Sequence, residues 1–289
     1  MTFPTPGSRQ PKQRLALLAA GLLTCAATFT ALPAANADEG HNGKFRLGDP
    51  KEHYMGSQVA EHEGDGAGAG SSTKQDNNTY ASVQGNDVSH WQGDINWPAV
   101  YDDGARFTYI KATEGTSYRD PKFADNYVGS YNAGFVRGAY HFARPDGASG
   151  GAQANYFADH GGAWSADNQT LPGVLDIEYA PSGDACYGLG QSAMRNWIAD
   201  FINTYHDRTG RWAVIYTTTS WWKQCTGNYG GFADNNPLWI ARWASSPGEL
   251  PNGWSYYTFW QTDNEGRYPG DQDVFNGSYD RLRVLANNG

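Results

Sequence analysis

One stretch of nine residues, Leu171–Tyr179, constrains the fold more than any other part of the sequence. Its residues, LPGVLDIEY, begin with a Pro-Gly turn signal and continue as an apolar run, which predicts a buried strand. Asp176 and Glu178 interrupt this run at positions i and i+2. Because alternate residues of a strand point to the same face, we expect both carboxyl groups to project together, with Cβ atoms roughly 6–7 Å apart.

Two acids on one face of a core strand are costly unless they are paired, solvated or partly protonated. One interpretation is a strand end at which both carboxylates meet water or a basic side chain. The other is a carboxyl pair whose environments separate the two pKa values, so that one group is an acid and the other a base or a stabiliser of charge. We favour the second interpretation.

The first 37 residues have the features of a secretory signal peptide. Arg9, Lys12 and Arg14 precede an apolar stretch over 15–32, and Ala35-Asn-Ala37 is an A-x-A cleavage signature. A retained membrane helix is the alternative, but the apolar run is barely long enough and ends at the cleavage signature. No later apolar run approaches about 18 residues. We therefore expect a secreted, extracellular protein that has no membrane segment after cleavage before Asp38.

Charge and cysteine content restrict the partners and the compartment. Removal of residues 1–37 leaves 18 of the 21 basic residues and all 30 acidic ones, so the formal charge changes from −9 to −12. Such a chain is a poor ligand for polyanions, which argues against nucleic acid and anionic lipid as partners. Cys186 and Cys225 remain, and an even number in an oxidising compartment predicts a disulfide, with two unpaired buried thiols as the alternative.

Residues 38–82 differ in composition from the rest of the chain. They are rich in Gly, Glu, Asp, His and Ser and poor in aliphatic residues. Such a segment cannot bury enough apolar surface to fold alone, which predicts a flexible leader or pro-segment. We assign no chemistry to His41, His53 or His62, because they lack the spacing of metal ligands.

Residues 83–289 show an alternation of strands and helices. The predicted strands are 84–89, 107–112, 136–142, 171–179, 212–216, 238–243, 256–261 and 273–275. The helical segments between them include an apolar stripe of Met194, Trp197, Ile198, Phe201, Ile202 and Tyr205. This pattern predicts an α/β fold, an irregular (β/α) barrel of about eight strands with helices missing in its C-terminal third. In such barrels the C-terminal ends of the strands carry the site.

Acidic and aromatic residues recur at these strand ends. Asp87 ends the first predicted strand, Asp176 and Glu178 the fourth, and Asp273 lies in the last. A single acid at a strand end is most often a cap or a solvated turn, whereas four that converge on one barrel face indicate a site. The aromatic and imidazole side chains at corresponding positions are Tyr140, His141, Phe142, Tyr216, Trp243 and Trp260, with Trp91 nearby. Acids surrounded by flat rings suit a sugar chain, and we expect these six residues to bind substrate.

Five motifs give the sequence a recognisable pattern. They are Asp87-Val-Ser-His-Trp-Gln92, Ile110-Lys-Ala-Thr-Glu-Gly115, Gly138-Ala-Tyr-His-Phe142, Leu175-Asp-Ile-Glu178 and Asp271-Gln-Asp-Val-Phe275. In this order they resemble glycoside hydrolase family 25, the Ch-type lysozymes or N-acetylmuramidases, over about residues 83–289. The resemblance implies an irregular β/α barrel with an acidic groove, and hydrolysis of the β-1,4 bond between N-acetylmuramic acid and N-acetylglucosamine in peptidoglycan.

The resemblance also implies roles for the four acids. Glu178 matches the proton donor, and Asp176 matches the neighbouring acid that orients and stabilises the N-acetyl group of the substrate. Asp87 and Asp273 match the remaining acids of the site.

The chemistry requires that Glu178 stay protonated near neutral pH, and we expect burial and the charge of Asp176 to raise its pKa. Retaining glycosidases place the two carboxyls about 5–5.5 Å apart and inverting ones about 6.5–9.5 Å, and spacing along a strand cannot distinguish them. The N-acetyl amide of the substrate offers a third route as internal nucleophile, which the resemblance favours and which retains configuration.

Other interpretations stay open at this point. A chitinase-like hydrolase would use the same N-acetyl assistance on a polymer without the lactyl group, and a wall-binding protein would keep the barrel without turnover. We expect His141 and His90 to be hydrogen-bonding wall residues rather than acids or bases, and Arg242 either to bind a substrate carboxylate or to balance nearby acids. No metal-ligand or phosphate-loop motif occurs, so we predict no metal and no cofactor. We expect a monomer whose partner is bacterial peptidoglycan.

Overall fold

The computed structural model of the chain describes residues 53–64 and 82–287. The predicted signal peptide, residues 1–37, lies outside the described residues, as does His41. The helices are α1 Val59–Glu63, α2 Trp97–Asp102, α3 Phe123–Asn132, α4 Gly150–Phe157, α5 Gln191–Thr209, α6 Thr219–Thr226 and α7 Tyr279–Ala286. The strands are β1 Val83–Val88, β2 Phe107–Glu114, β3 Tyr118–Arg119, β4 Val136–Phe142, β5 Val174–Asp176, β6 Val214–Thr217, β7 Leu238–Ala241, β8 Phe259–Asp263 and β9 Asp271–Phe275.

The strands form one closed sheet. Going round the barrel, the order is β1, β2, β4, β5, β6, β7, β8 and β9, and β9 pairs with β1 to close the ring. Strand β3 extends β2 as an antiparallel hairpin outside the ring. The predicted α/β barrel of about eight strands is therefore confirmed for the part of the chain that the structure describes.

The direction of the last strand departs from the predicted parallel pattern. Neighbouring strands from β1 to β8 run parallel, whereas β9 is antiparallel to both β8 and β1. A parallel strand would need a crossover of a dozen or more residues, but only residues 264–270 separate β8 from β9. The chain instead returns through a short loop, and this reversal changes which residues of β9 face the site.

Side chains alternate between two cores on either side of the barrel wall. Inward-pointing residues such as Tyr109, Val174 and Trp239 fill the barrel. Outward-pointing ones such as Leu175 and Ile215 pack against the surrounding helices. The predicted stripe on α5, from Met194 to Tyr205, is buried in this outer core.

The helices are unevenly distributed around the barrel. Helices α2 to α6 follow the strands in the first two thirds of the barrel. The last turn of α5 is capped by Gly210, whose φ of 70° lies in the left-handed region that favours glycine. Among the described residues, no helix lies between β7 and β8 or between β8 and β9. The predicted lack of helices in the C-terminal third is confirmed at these two connections. Within the same described ranges, no helix is both long and apolar enough to cross a bilayer.

Part of the predicted leader has a defined structure. Residues 53–64 include the short helix α1, and Met55 and Val59 are fully buried in the same core as the inward-pointing residues of the barrel. For these residues the structure differs from the flexible segment that composition predicts. The barrel supplies the apolar surface that the leader lacks alone, and the domain boundaries themselves stay a prediction.

The predicted disulfide is present. Cys186, in the loop after β5, is bonded to Cys225 on α6. The bond closes a loop with a sequence separation of 39 residues and links the loop that follows β5 to helix α6.

We predict that a Cys186→Ser/Cys225→Ser double variant is less stable by roughly 4 kcal/mol, because the unfolded chain regains the entropy of that loop. Guanidinium unfolding under oxidising and reducing conditions checks this. Reductant should lower the stability of the parent chain and leave the double variant unchanged. Equal stability of parent and variant without reductant would contradict the prediction.

Candidate active site

Asp176, at the end of β5, and Glu178, just after it, project to the same side as their spacing predicts, and that side is the inside of the barrel. Val174 belongs to the core inside the barrel, whereas Leu175 and Ile177 belong to the core on the helix side. Asp176 and Glu178 therefore continue the inward face of the strand, and their exposed fractions are 1% and 0%. The two carboxyl groups share one buried space at the C-terminal end of β5.

Three further acids come from the strands that close the barrel. Asp87, near the end of β1, stands opposite Asp271 in the antiparallel register, and Asp273 stands opposite Gly85. All three side chains are no more than 2% exposed. Asp271 is thus level with Asp87, and Asp273 lies two residues further from the end of β1. Our expectation that Asp273 lies at a C-terminal strand end is wrong, because β9 is antiparallel and its N-terminal residue faces this end.

Gln261, on β8, joins this group of acids. Its Nε2 donates to Oδ2 of Asp87 at 2.9 Å and to Oδ2 of Asp271 at 2.8 Å. Its Oε1 accepts hydrogen bonds from the hydroxyl of Tyr216 at 2.8 Å and from Nε1 of Trp243 at 3.0 Å. One buried amide therefore fixes two carboxylates and two aromatic side chains, which rigidifies the site.

Burial is the main electrostatic influence on the acids. It raises the pKa of Glu178 to about 8 and that of Asp87 to about 7, the latter against the hydrogen bond from Gln261. Burial and the charge of Glu178 raise the pKa of Asp176, and burial and the charge of Asp87 raise the pKa values of Asp271 and Asp273. At neutral pH the cluster therefore retains protons that separate carboxyls would have lost.

A buried lysine partly balances this negative charge. Lys111 is 1% exposed on β2, and its Nζ donates to Oε2 of Glu114 at 2.9 Å. Its charge also opposes the rise in the pKa of Asp176. Lys111 is therefore the cation that opposes protonation of Asp176.

Four of the predicted substrate-binding residues lie at the site or its entrance. Tyr216 and Trp243 bind Gln261, and the phenol of Tyr140 lies close enough to Asp87 and Asp176 for their charges to raise its pKa. Phe142, at the end of β4, stacks against His53 of the leader with ring centroids 5.4 Å apart.

Two of the predicted substrate-binding residues point away from the acids. His141 follows Tyr140 on β4 and therefore faces the helices, where Nε2 donates to Gln153 and Nδ1 accepts from Thr113. Burial lowers its pKa to about 4, so the ring is neutral. The expectation that His141 forms hydrogen bonds is confirmed. The expectation that it binds substrate in the groove is wrong, because its side chain faces the helices. Trp260 alternates with the inward-facing Gln261, and its Nε1 donates to the backbone carbonyl of Arg242 on the outside of the barrel.

Gln261 and Asp271 belong to the site but were not predicted from the sequence to do so. Each had a usable signal: Gln261 ends an apolar strand, and Asp271 stands two residues before Asp273, the same spacing as the pair on β5. His53, to which no chemistry was assigned, contacts the rim of the site, where its Nδ1 lies 2.6 Å from Oε1 of Glu114. Among residues 53–64 and 82–287, no group of three or more His, Cys, Asp or Glu side chains is arranged to hold a metal ion.

Comparison with known proteins assigns this geometry to a family. Residues 86–271 match the sequence profile described as Glycosyl hydrolases family 25. The chain belongs to this family. It is therefore a glycoside hydrolase, and the matched range contains Asp87, Asp176, Glu178 and Asp271.

Relatives of known name share most of the chain. It is 49% identical to Lysozyme M1 of Streptomyces globisporus over 286 residues, 97% of each chain. It is also 49% identical to the N,O-diacetylmuramidase of Chalaropsis sp over 209 residues, 71% of this chain and 99% of that one. Among solved structures, the muramidase from Acremonium alcalophilum is similar with 57% identity and a TM-score of 0.71, over 72% of this chain and all of the other. The bacterial lysozyme from Streptomyces coelicolor is similar with 55% identity and a TM-score of 0.70, over 72% of this chain and 98% of the other.

We predict that the stability of the chain falls as pH rises from 6.5 to 8.5. Carboxyls with a raised pKa bind protons in the folded state that the unfolded chain releases, so their stabilisation is complete at low pH and is lost as pH rises through the folded values. For Asp87 and Glu178 these values are about 7 and about 8, against ordinary values of 3.8 and 4.5. His141, with its pKa of about 4, acts in the opposite direction only at lower pH.

Thermal unfolding measured at several pH values across this range checks the prediction. An Asp87→Asn/Glu178→Gln double variant, which lacks two of the titrating groups, should have a flatter pH dependence. A parent chain whose Tm is constant or rises over the same range would contradict the assignment of raised pKa values.

Proposed function

We propose that the protein is a secreted muramidase that hydrolyses the β-1,4 bond between N-acetylmuramic acid and N-acetylglucosamine in bacterial peptidoglycan, with Glu178 as the proton donor. Its membership of family 25 and its identity to a lysozyme and to muramidases support this substrate. The site chemistry supports the reaction.

The observation that carries the proposal is the buried pair at the end of β5. Glycoside hydrolysis needs a general acid that protonates the leaving oxygen while positive charge develops on the sugar ring. Glu178, with its pKa raised by burial to about 8, is protonated at neutral pH and can give its proton to that oxygen. After bond cleavage the same group, now a carboxylate, can take a proton from the attacking water.

We assign Asp176 to the N-acetyl group of the sugar on the non-reducing side of the cleaved bond. No N–H group of the described residues donates to its carboxylate, although the side chain is 1% exposed. A carboxyl oxygen of this buried side chain can accept the amide N–H of the substrate and orient the amide oxygen towards the anomeric carbon. Attack by that oxygen and later hydrolysis of the cyclic intermediate by water would retain the anomeric configuration.

The acids on the other side of the barrel have a supporting role in this proposal. Asp87 and Asp271 share the amide of Gln261, which holds their carboxylates in fixed directions from which they can accept sugar hydroxyls. Asp273 lies deeper, and the charges of Asp87 and Asp271 raise its pKa. The aromatic side chains of Tyr140, Tyr216 and Trp243 form walls against which the apolar faces of sugar rings can pack.

The proposed organisation of the chain follows from its N-terminal sequence. Residues 1–37 form a signal peptide, 38–82 a pro-segment, and 83–289 the catalytic barrel of a monomer. The disulfide between Cys186 and Cys225 supports an oxidising, extracellular location.

Product analysis tests the substrate assignment. Purified peptidoglycan is digested, new reducing ends are reduced with borohydride, and the soluble fragments are examined by mass spectrometry. We predict reduced muramic acid at the new ends. Reduced glucosamine ends would replace the proposal with a glucosaminidase, and cleavage of chitin but not peptidoglycan would replace it with a chitinase-like activity.

We predict that Glu178→Gln lowers kcat by roughly 10²–10⁴-fold, the contribution typical of a general acid. The amide has nearly the same shape as the carboxylic acid but has no acidic proton to donate. The variant should keep the unfolding cooperativity of the parent and bind chitooligosaccharides as tightly as the parent does. Asp273→Asn provides the comparison and should reduce kcat far less, because Asp273 lies two residues deeper in the barrel than Asp271. Near-normal turnover by Glu178→Gln would remove Glu178 from this role.

A further inference from the structure

Residues 53–64 of the leader lie across the entrance to the site described above. The segment contacts the ends of β2 and β4 at its beginning, Glu178 after β5 in its middle, and residues after β5 and β6 at its end. It therefore spans the barrel end at which the five acids meet.

The middle of the segment contacts the proposed proton donor directly. The backbone N–H of Gly56 donates to Oε1 of Glu178 at 2.7 Å, and the N–H of Gln58 also stabilises its charged form. The backbone N–H of Met55 donates to the hydroxyl of Tyr140 at 3.3 Å. The phenol of Tyr54 has its pKa raised by burial and by the nearby charges of Asp271, Glu178 and Asp87. A sugar whose leaving oxygen contacts Glu178 would have to occupy the same space.

The fit around Gly56 is close. Its φ of +81° lies in the region that favours glycine. A Cβ at this position would stand 2.6 Å from Oε1 of Gln261 and 2.9 Å from the hydroxyl of Tyr216. The segment can therefore reach Glu178 only because residue 56 has no side chain.

Both ends of the segment are anchored by polar contacts. At the beginning, Nδ1 of His53 contacts Glu114, and the backbone carbonyl of His53 accepts a hydrogen bond from Nζ of Lys111. At the end, the carboxylate of Glu63 accepts three hydrogen bonds. Their donors are the hydroxyls of Tyr179 at 2.9 Å, Thr218 at 2.7 Å and Ser220 at 2.9 Å. The ring of His62 stacks on Tyr179 with centroids 3.9 Å apart.

Apolar burial adds to these contacts. Met55 and Val59 are fully buried against the barrel core. Because the segment is covalently attached to the barrel, its effective concentration at the site is on the order of millimolar, which favours the docked state over binding of dilute substrate.

We infer that residues 53–64 are an intramolecular inhibitor that occupies the substrate groove, so that the exported enzyme is latent until this segment is displaced or removed. The inference rests on the proposed function, because it takes the groove around Glu178 to be the substrate site. The alignment with Lysozyme M1 covers 286 residues and so includes the leader, whereas the Acremonium muramidase is covered completely by 72% of this chain.

The experiment compares Gly56→Ala with Gly64→Ala in the full exported chain. Both replace a glycine of positive φ, but a Cβ at Gly56 meets Gln261 and Tyr216, whereas a Cβ at Gly64 meets nothing within 4 Å. We expect Gly56→Ala to raise the initial rate of muropeptide release by at least about tenfold, since strain of this kind shifts the docking equilibrium by that order. Gly64→Ala introduces backbone strain without a clash and should therefore raise the rate less than Gly56→Ala.

A second pair of variants tests the end of the segment without a steric change. Glu63→Ala removes three hydrogen bonds from an exposed side chain, and Glu61→Ala changes an exposed acid of the same helix. Activation is expected for Glu63→Ala alone. Equal rates for the parent chain, Gly56→Ala and Glu63→Ala would overturn the inference.

Hydrogen exchange distinguishes failure of the inference from failure of the proposed function. The amides of Gly56 and Gln58 should be protected in the parent chain and lose protection in Gly56→Ala. A chain that begins at Ser82 gives the rate of the uncovered barrel, after circular dichroism has checked its folding. If that chain hydrolyses peptidoglycan no faster than the parent, whose segment is protected, the inhibitor is disproved and the muramidase stands. If no form hydrolyses peptidoglycan, the proposed function fails.

Discussion

The structure depends on the burial of carboxyl groups at one end of a closed barrel. Asp87, Asp176, Glu178, Asp271 and Asp273 are each no more than 2% exposed. Taking several negative charges out of water is prohibitive, so such a cluster must retain protons or be bound by donors. Here both occur, because burial raises the pKa values and Gln261 donates to two of the carboxylates. The cost of burying these charges raises the pKa of Glu178, and this gives the group the protonation state that a general acid needs.

Much of the fold could be predicted from the sequence because local periodicity is a direct consequence of backbone geometry. The inward direction of Asp176 and Glu178 follows from the two-residue repeat of a strand, and the stripe on α5 follows from the helical repeat. Strand direction has no such local signal. The expectation that Asp273 lies at a C-terminal strand end is wrong for that reason, since the antiparallel course of β9 depends on a short return loop and on pairing across the barrel.

Contacts between parts of the chain that are distant in sequence also could not be predicted from local sequence patterns. Composition indicates that residues 38–82 lack the apolar content to fold alone, but it cannot show that a barrel provides a surface for residues 53–64. Likewise, an imidazole next to Tyr140 could face either core, and the alternation along β4 directs His141 to the helices. Residues 53–64 complete the burial of the site, and the backbone N–H of Gly56 donates a hydrogen bond to Glu178.

The central claim is that burial at this end of the barrel, completed by residues 53–64, holds Glu178 protonated at neutral pH. Carbon-13 NMR titration of the Glu178 side-chain carboxyl in the full chain measures this directly, with Glu178→Gln used to assign the resonance. The account predicts a midpoint near the value of about 8 that burial imposes. A midpoint near the ordinary 4.5 would mean that Glu178 is ionised at neutral pH, and would contradict both its assignment as general acid and the electrostatic basis of the site.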